Sequence, residues 1–409
     1  MDHPAAATRG ALTCNERYAR GLEVLRRIGG PDWDVQLRAA AETTPDLAWL
    51  TVEFGYGDLI SRPGLALPLR EAVTVAALFA HRNAERQLAY HMAGYLNAGG
   101  EPRVLLELLY VAVAVVGFPA AIHALPLLRT LFVERGLTAL RIAPAGDDGS
   151  ARSATGWRAL AALVDDAAAL ERDWAALAPR FAQWSIAFAQ GEMLARDGLD
   201  ERTRQLAIVA MLTTVGNRAP QLERHVVAAL RAGVTRLELT EALMQLAGYA
   251  GFPNALNAIA VATAVFARPA PAPGAAPPAD IAPDEARAAR AVRGEAVLAR
   301  GSASAGATVI ASFDDLAPDL GRAIVEHAYG EVFAGGALDL RTRELTACAA
   351  FAAAGSQVMA TPLKVHVAAA LNAGATREEI EEVLLNLAPH CGYPAVEWAL
   401  SVAAEVWAA

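Results

Sequence analysis

YHMAGYLNAGG (90–100) has two close relatives further along the same chain, RHVVAALRAGV (224–234) and VHVAAALNAGA (365–375). In each copy a histidine is followed seven and eight positions later by Ala-Gly. A glycine after a run of good helix formers is typical of the end of a helix. The stretch therefore predicts a helix that carries a histidine and stops at a glycine, and it predicts that helix three times.

The likeness extends in both directions. Downstream, VGFPAAIHA, AGFPNALNA and CGYPAVEWA place a glycine 26 residues after the histidine in every copy. Upstream, YGDLISRPGLALPLREA (56–72), QGEMLARDGLDERTRQL (190–206) and YGEVFAGGALDLRTREL (329–345) place a Glu or Gln 15 residues after their first residue. Equal spacings of this kind predict tandem repeats of one structural unit.

The segments between the repeats have the composition of linkers. APAGDDGSARSATG (143–156) and RPAPAPGAAPPADIAP (268–283) are rich in Pro, Gly and Ala, which suits connections better than cores. The predicted domains are therefore residues 1–142, 157–267 and 284–409.

The fold class follows from the residues that fill the repeats. Ala, Leu and Val dominate, strict alternation of apolar and polar residues is scarce, and capping boxes open at Thr235 and Thr376. We therefore predict an all-α protein.

Charge and hydropathy narrow the possible partners. The chain has 44 acidic and 35 basic residues, a net charge of −9, and no basic cluster, so nucleic acid is not expected as a partner. The apolar run 105–128 is long enough for a bilayer, but Gly117, Pro119 and Pro126 interrupt it, which predicts buried helices and no membrane span. The N-terminal sequence has neither a basic nor an apolar leader region, so a cytoplasmic location is expected.

These motifs resemble the carboxymuconolactone decarboxylase family, which shares its helical fold with alkylhydroperoxidase D. The resemblance rests on SRPGL (61–65), on the RTR that opens the following helix in the later repeats, on the histidine of H-x-x-x-A-L-x-x-G, on GFP/GYP-A, and on RGLEVLRRIGG (20–30). It implies three alkylhydroperoxidase D-like helical repeats arranged as a pseudo-trimer. It also implies a homodimer that forms a pseudo-hexamer, and no metal or organic cofactor.

The peroxidase branch of this fold is excluded by the residues before the histidine. That branch needs a Cys-x-x-Cys for thiolate attack and disulfide resolution. The two positions are Ala84 and Gln87, Arg218 and Gln221, and Met359 and Pro362. None of the repeats has the required thiols.

The catalytic residues implied by the resemblance are a Glu and a His about twenty residues apart. The repeats supply Glu71 with His91, Glu344 with His366, and, with an amide in place of the carboxylate, Gln205 with His225. Histidine carries protons near neutral pH, and a buried Glu can orient it. The alternative is that these histidines form structural hydrogen bonds between helices.

Further residues are candidates for binding the substrate. The guanidinium groups of Arg62, Arg70, Arg204 and Arg343 suit a carboxylate, although arginines at helix starts are often only solvated. The other candidates are residues of the repeated motif or departures from it. They are Tyr56, Tyr329, His123 and His390.

His123 differs from its counterparts in the other repeats. His123 stands where the others have Asn257 and Trp398, and it is either a core histidine or a ligand contact.

The expected function is that of a cofactor-free lyase, which acts on a small carboxylated lactone or β-keto acid by His/Glu acid–base chemistry. Two alternatives remain open. One is an isomerase, dehydratase or cyclase that uses the same proton transfer. The other is a non-catalytic binding or assembly protein.

Overall fold

The computed structural model describes residues 16–137, 140, 149–269, 282–335, 338–355 and 359–408, and their regular secondary structure is helical, with no strand among them. The all-α prediction is confirmed. Residues 143–148 and 270–281 of the two predicted linkers, together with Cys14, lie outside the described residues.

The first repeat begins with three α-helices, continues into a π-helix and ends with four further α-helices. These are α1 (Glu16–Gly29), α2 (Val35–Thr43), α3 (Pro45–Leu50), π1 (Thr51–Ile60), α4 (Leu67–His81), α5 (Glu85–Asn97), α6 (Pro102–Val116) and α7 (Phe118–Glu134).

The second repeat follows the same order. Its helices are α8 (Arg152–Leu163), α9 (Ala167–Leu177), α10 (Pro179–Trp184), π2 (Ser185–Leu194), α11 (Glu201–Val215), α12 (Ala219–Arg231), α13 (Arg236–Gln245) and α14 (Phe252–Phe266). Helix α8 starts inside the segment 143–156 that the sequence assigns to a linker.

The third repeat adds one short helix before its last. Its helices are α15 (Arg287–Gly301), α16 (Ala303–Ala311), α17 (Pro318–Ala323), π3 (Ile324–Phe333), α18 (Leu340–Ala354), α19 (Ala360–Asn372), α20 (Arg377–Leu385), α21 (Ala388–Cys391) and α22 (Tyr393–Trp407).

A glycine contact holds the first helix of each repeat against its π-helix. A Cβ on Gly57 would lie 2.1 Å from the carbonyl oxygen of Arg17, and one on Gly21 would lie 2.1 Å from that of Val52. The pairs Gly156 with Gly191 and Gly294 with Gly330 repeat this arrangement. Only a residue without a side chain allows two helix backbones to approach so closely.

The first and second repeats meet through reciprocal contacts around the packed helices α4 and α11. Arg62 of the first repeat binds Glu241 of the second, and Arg196 of the second binds Glu107 of the first. Arg62 and Arg196 occupy equivalent positions in the repeat, as do Glu107 and Glu241. A contact that is repeated with the partners exchanged indicates a local twofold relation.

The second and third repeats also exchange equivalent contacts, here through their first helices and π-helices. Arg152 binds Glu331, and Arg290 binds Glu192. A cyclic pseudo-trimer would use head-to-tail contacts, in which each repeat presents two different faces. The reciprocal pairs do not support a cyclic arrangement at these two interfaces, where they indicate local twofold relations.

The apolar core is divided unequally. One continuous core runs through the first two repeats and reaches α15 to π3 of the third, whereas α18, α19, α20 and α22 enclose a separate core around Cys348. Burial there raises the pKa of the Cys348 thiol to about 12, which fits an unreactive core residue. None of the described helices combines the length and apolar content that a membrane span requires.

Candidate functional site

Each predicted Glu/Gln–His pair comes together because α4, α11 and α18 each pack against the helix that follows. In the first repeat, Glu71 Oε2 lies 2.8 Å from His91 Nδ1, and the two side chains are 0% and 3% exposed. The hydroxyl of Tyr249, from the second repeat, lies 3.4 Å from His91 Nε2. Both ring nitrogens of His91 therefore have protein partners, and Tyr249 covers the histidine.

The third repeat has the same Glu–His pair, but here aromatic rings lie beside the histidine. Glu344 is fully buried, and its Oε2 lies 2.6 Å from Nδ1 of His366. The imidazole contacts the rings of Phe351 and Phe333, with centroid distances of 5.0 and 5.7 Å. Because Glu344 occupies Nδ1, Nε2 is the nitrogen left for other partners.

His366 lines a cavity between the third and the first repeat. The cavity holds about 210 Å³, or about 810 Å³ with its open mouth included. Its lining combines residues of π3, α15, α16, α18 and α19 with three residues of α7 from the first repeat, which are Phe118, Pro119 and Ile122. The polar side chains among the lining residues are Tyr329, Thr361 and His366.

The second repeat has lost the carboxylate and gained a different hydrogen bond. Gln205 Oε1 lies 2.8 Å from His225 Nδ1, and the amide nitrogen of Gln205 donates to Glu201 Oε1 at 2.7 Å. Because an amide oxygen only accepts, Nδ1 of His225 carries the proton. Burial, with a smaller contribution from the Arg224 charge, lowers the pKa of His225 to about 4. This histidine is therefore neutral near pH 7 and is not a proton donor there.

The two tyrosines of the repeated motif are neutral hydroxyls. Burial raises the pKa of Tyr56 well above its usual value, and nearby Tyr249, Tyr90 and Glu71 add to the effect. Burial likewise raises the pKa of Tyr329, which lines the cavity beside His366. Tyr329 can therefore donate a hydrogen bond to a bound molecule, whereas Tyr56 lies in the covered site of the first repeat.

The sequence profile of the carboxymuconolactone decarboxylase family matches the chain three times, at residues 45–130, 179–264 and 318–405. These matches cover more than half of the 409 residues. The chain belongs to the carboxymuconolactone decarboxylase family.

Two curated relatives match shorter stretches. Over 79 residues the chain is 39% identical to a 4-carboxymuconolactone decarboxylase of Acinetobacter baylyi, which covers 19% of this chain and 58% of that protein. Over 78 residues it is 37% identical to an uncharacterized 15.0 kDa protein in the nqo9-nqo10 intergenic region of Paracoccus denitrificans, again 19% and 58%. The chain thus spans little more than half the length of the curated relatives it matches.

In this protein an arginine near the start of each of the helices α4, α11 and α18 binds the loop that precedes that helix. Each guanidinium binds the carbonyl oxygens of the residues five and eight positions earlier. For Arg70 these distances are 3.1 Å (Leu65) and 2.8 Å (Arg62). Arg204 and Arg343 bind the equivalent carbonyls. This shared contact explains why all three repeats have the arginine.

Protein contacts at Arg62, Arg70 and Arg204 do not support their predicted role as substrate anchors, and for Arg343 that role stays a prediction. Arg70 is 0% exposed and binds both Glu241 and Gln245 of the second repeat, so a substrate does not reach it. Arg62 is engaged by both oxygens of Glu241. Arg204 is 6% exposed and pairs with Glu201. The positive charges that the sequence offers to a carboxylate are neutralised or held by the protein itself.

The remaining predicted residues lie elsewhere. His123, on α7, has Nε2 3.6 Å from Oε1 of Glu85, and burial lowers its pKa. It is absent from the described lining of the cavity, although its neighbour Ile122 is part of it. His390 belongs to the short helix α21, and its side chain lies outside the described residues.

The sequence prediction missed the residues that one repeat contributes to the site of another. Tyr249 covers His91, and Phe118 with Ile122 forms one wall of the cavity beside His366. A signal for the interface was present, because a Glu follows the histidine after 16 residues in every repeat. Two of these, Glu107 and Glu241, form the ion pairs between the first two repeats.

Proposed function

We propose that this chain is an acid–base enzyme that needs no cofactor and works with His366 and Glu344 of the third repeat. One observation carries the proposal. Of the three pairs, this is the one that combines a carboxylate partner with a described cavity. His91 is covered by Tyr249, and His225 has an amide partner and a lowered pKa.

The chemistry proposed for this site is proton transfer at a carbon next to a carbonyl group. Glu344 fixes the imidazole through Nδ1 and leaves Nε2 to exchange a proton with the substrate. The neutral hydroxyl of Tyr329 supplies a hydrogen bond to the oxygen on which negative charge develops. Both groups are among the residues that line the cavity.

A carboxy-lyase reaction is the first form that this chemistry can take. In that reaction the bond to the carboxyl carbon breaks, its electron pair enters the adjacent carbonyl system, and His366 returns one proton to carbon as CO2 leaves. Family membership and the partial match to a protein named 4-carboxymuconolactone decarboxylase support it. The substrate would be a small carboxylated lactone or a β-keto acid.

An isomerase, dehydratase or cyclase reaction is the second form, and the cavity favours it. Such reactions use the same proton transfer on a substrate that carries no carboxylate. The described lining offers such a substrate polar contacts from Tyr329, Thr361 and His366 but no arginine or lysine. Non-catalytic binding is the outcome if proton transfer is not found.

The test compares histidine variants of the three repeats. Candidate lactone acids, β-keto acids and neutral ketones are incubated in deuterated water, and CO2 release and deuterium incorporation at carbon are measured. We expect His366→Gln to abolish turnover and His91→Gln and His225→Gln to retain it per folded chain. Full activity of His366→Gln would overturn the assignment, and deuterium incorporation without CO2 would select the second form.

A further inference from the structure

The cavity beside His366 is built from two repeats, which sets its chemistry. The third repeat supplies the polar groups, and α7 of the first repeat supplies an apolar wall of Phe118, Pro119 and Ile122. Further apolar surface comes from Phe333, Phe351 and Val365. The His366 ring thus lies at the edge of a largely apolar cavity.

A carboxylate placed in this cavity would have no arginine or lysine partner among the described lining residues. Arg343, the arginine of this repeat, binds the carbonyls of Gly335 and Leu338 and is not among the lining residues. Removing an ionised carboxylate from water without pairing it is costly. The cavity therefore disfavours substrates whose carboxylate would be buried inside it.

We propose that this cavity binds a neutral, mainly apolar small molecule with one carbonyl or hydroxyl group directed to His366 and Tyr329. An engineered apolar cavity of about 150 Å³ holds benzene, so the 210 Å³ found here suits a molecule somewhat larger than one aromatic ring. This inference concerns the same site as the proposed function and rests on it only for the catalytic role of His366.

The experiment measures binding, so it does not depend on turnover. Acetophenone and its carboxylated analogue 4-acetylbenzoate are titrated into the full chain, and the ring resonances of His366 are followed by NMR. We expect acetophenone to shift these resonances at concentrations at least tenfold below those required for 4-acetylbenzoate. Equal or tighter binding of 4-acetylbenzoate would overturn the proposal.

A pair of matched variants locates the binding. Ile122→Trp fills the cavity from the first repeat and leaves His366 unchanged, and it should weaken acetophenone binding at least tenfold. Leu256→Trp makes the same change at the equivalent position of the second repeat, where the side chain is 60% exposed, and should have no effect. If Ile122→Trp binds acetophenone normally, the cavity is not the site. Loss of activity in His366→Gln would then still stand on its own.

A separate observation concerns the outer face of α18. In the first two repeats, the equivalent helices α4 and α11 pack against each other. Leu65 and Leu199, which precede them, are each 4% exposed, but the equivalent Leu338 is 49% exposed. On the helix itself, Thr346 and Ala350 are exposed, although their counterparts in both sister repeats are buried.

Polar residues on this face match the interface of the first two repeats as well. Arg70 reaches across that interface to Glu241 and Gln245. The positions equivalent to these three in the third repeat hold Arg343, Glu382 and Asn386, and both Glu382 and Asn386 are exposed. The third repeat thus retains both halves of a reciprocal contact.

We infer that the α18 face binds the α18 face of a second copy of this chain around a twofold axis. The contact would repeat the packing of α4 on α11, with Arg343 of each copy meeting Glu382 and Asn386 of the other. The internal interface of the first two repeats supplies the argument, because the same face is covered there by the same face of a sister repeat.

Sedimentation equilibrium tests this second inference. The 42.8 kDa chain should sediment with twice its mass, and Ala350→Glu should reduce the mass to that of one chain while the helical circular dichroism stays intact. Ala296→Glu is the matched control, because this exposed alanine on α15 stands where the sister repeats have the charged residues Glu23 and Arg158. A single-chain mass for the unchanged protein, or a dimer that survives Ala350→Glu, would refute the inference.

Discussion

Arg70 Nη2 donates a hydrogen bond of 2.7 Å to Glu241 Oε2 across the interface of the first and second repeats. Both side chains are almost completely buried, at 0% and 3% exposure. The same guanidinium binds the carbonyls that close the loop before α4. One arginine therefore connects the internal fold of a repeat to the way two repeats pack.

Removing the charge of Glu241 should destabilise the protein strongly. Glu241→Gln leaves Arg70 buried without its carboxylate, and breaking a buried pair from one side costs about 3–5 kcal/mol. The free energy of unfolding in urea should fall by about that amount. Glu23→Gln, at an exposed position of α1, should change it by less than about 0.5 kcal/mol. A similar small effect of both variants would mean that the pair contributes little.

The close contact between α1 and π1 predicts that replacing glycine by alanine has opposite effects on stability at Gly57 and at Gly55. Gly57→Ala places a methyl group 2.1 Å from the Arg17 carbonyl oxygen and should cost about 1–3 kcal/mol or more, since overpacking forces the helices apart. Gly55→Ala meets no atom within 4 Å and should stabilise the helix by up to about 1 kcal/mol. Thermal unfolding of the two variants measures the difference. Equal melting temperatures would contradict the close contact.

The contacts within a repeat could be predicted from the sequence because they depend on spacing alone. Equal steps along the chain identified three units, and two neighbouring helices of one unit bring Glu71 to His91 and Glu344 to His366. The replacement of the carboxylate by Gln205 beside His225 was also visible in the sequence. Such pairs require no knowledge of how the units assemble.

The roles that depend on assembly could not be predicted in the same way. The sequence shows Arg70 as a free cation, whereas the fold places Glu241 beside it from a helix 171 residues away. Tyr249 and Ile122 reach sites of other repeats only because of the order in which the repeats pack. Nothing in the spacing within one unit indicates which sister unit covers it.

His225 should be neutral over an unusually wide pH range. Its folded pKa of about 4 lies below the ordinary value of 6.5, so between those values the unfolded chain binds a proton that the folded chain does not. Its contribution to stability is therefore complete above about pH 6.5 and is lost as the pH falls towards 4. NMR titration of the ring should give the low pKa directly.

A carboxylate at position 205 should oppose the lowering of the His225 pKa. Gln205→Glu places a negative charge next to Nδ1, which favours the protonated ring, so the pKa of His225 should rise and the loss of stability on acidification should become smaller. The ring of His81, which is exposed, serves as an internal reference in the same spectra. An identical His225 titration in both proteins would show that the two side chains do not interact in solution.

Replacing Glu344 by Gln should decide which repeat does the chemistry. The second repeat shows that an amide fits at this position, because Gln205 holds His225 at 2.8 Å, so Glu344→Gln should preserve the fold around His366. General acid–base catalysis contributes about 10²–10⁴-fold to rates, and we expect turnover to fall by about 100-fold or more. Glu71→Gln makes the same change in the first repeat, where Tyr249 covers the histidine, and should leave turnover per folded chain unchanged. The opposite result, with activity lost in Glu71→Gln and kept in Glu344→Gln, would move the working site to the first repeat and require Tyr249 to swing away from His91.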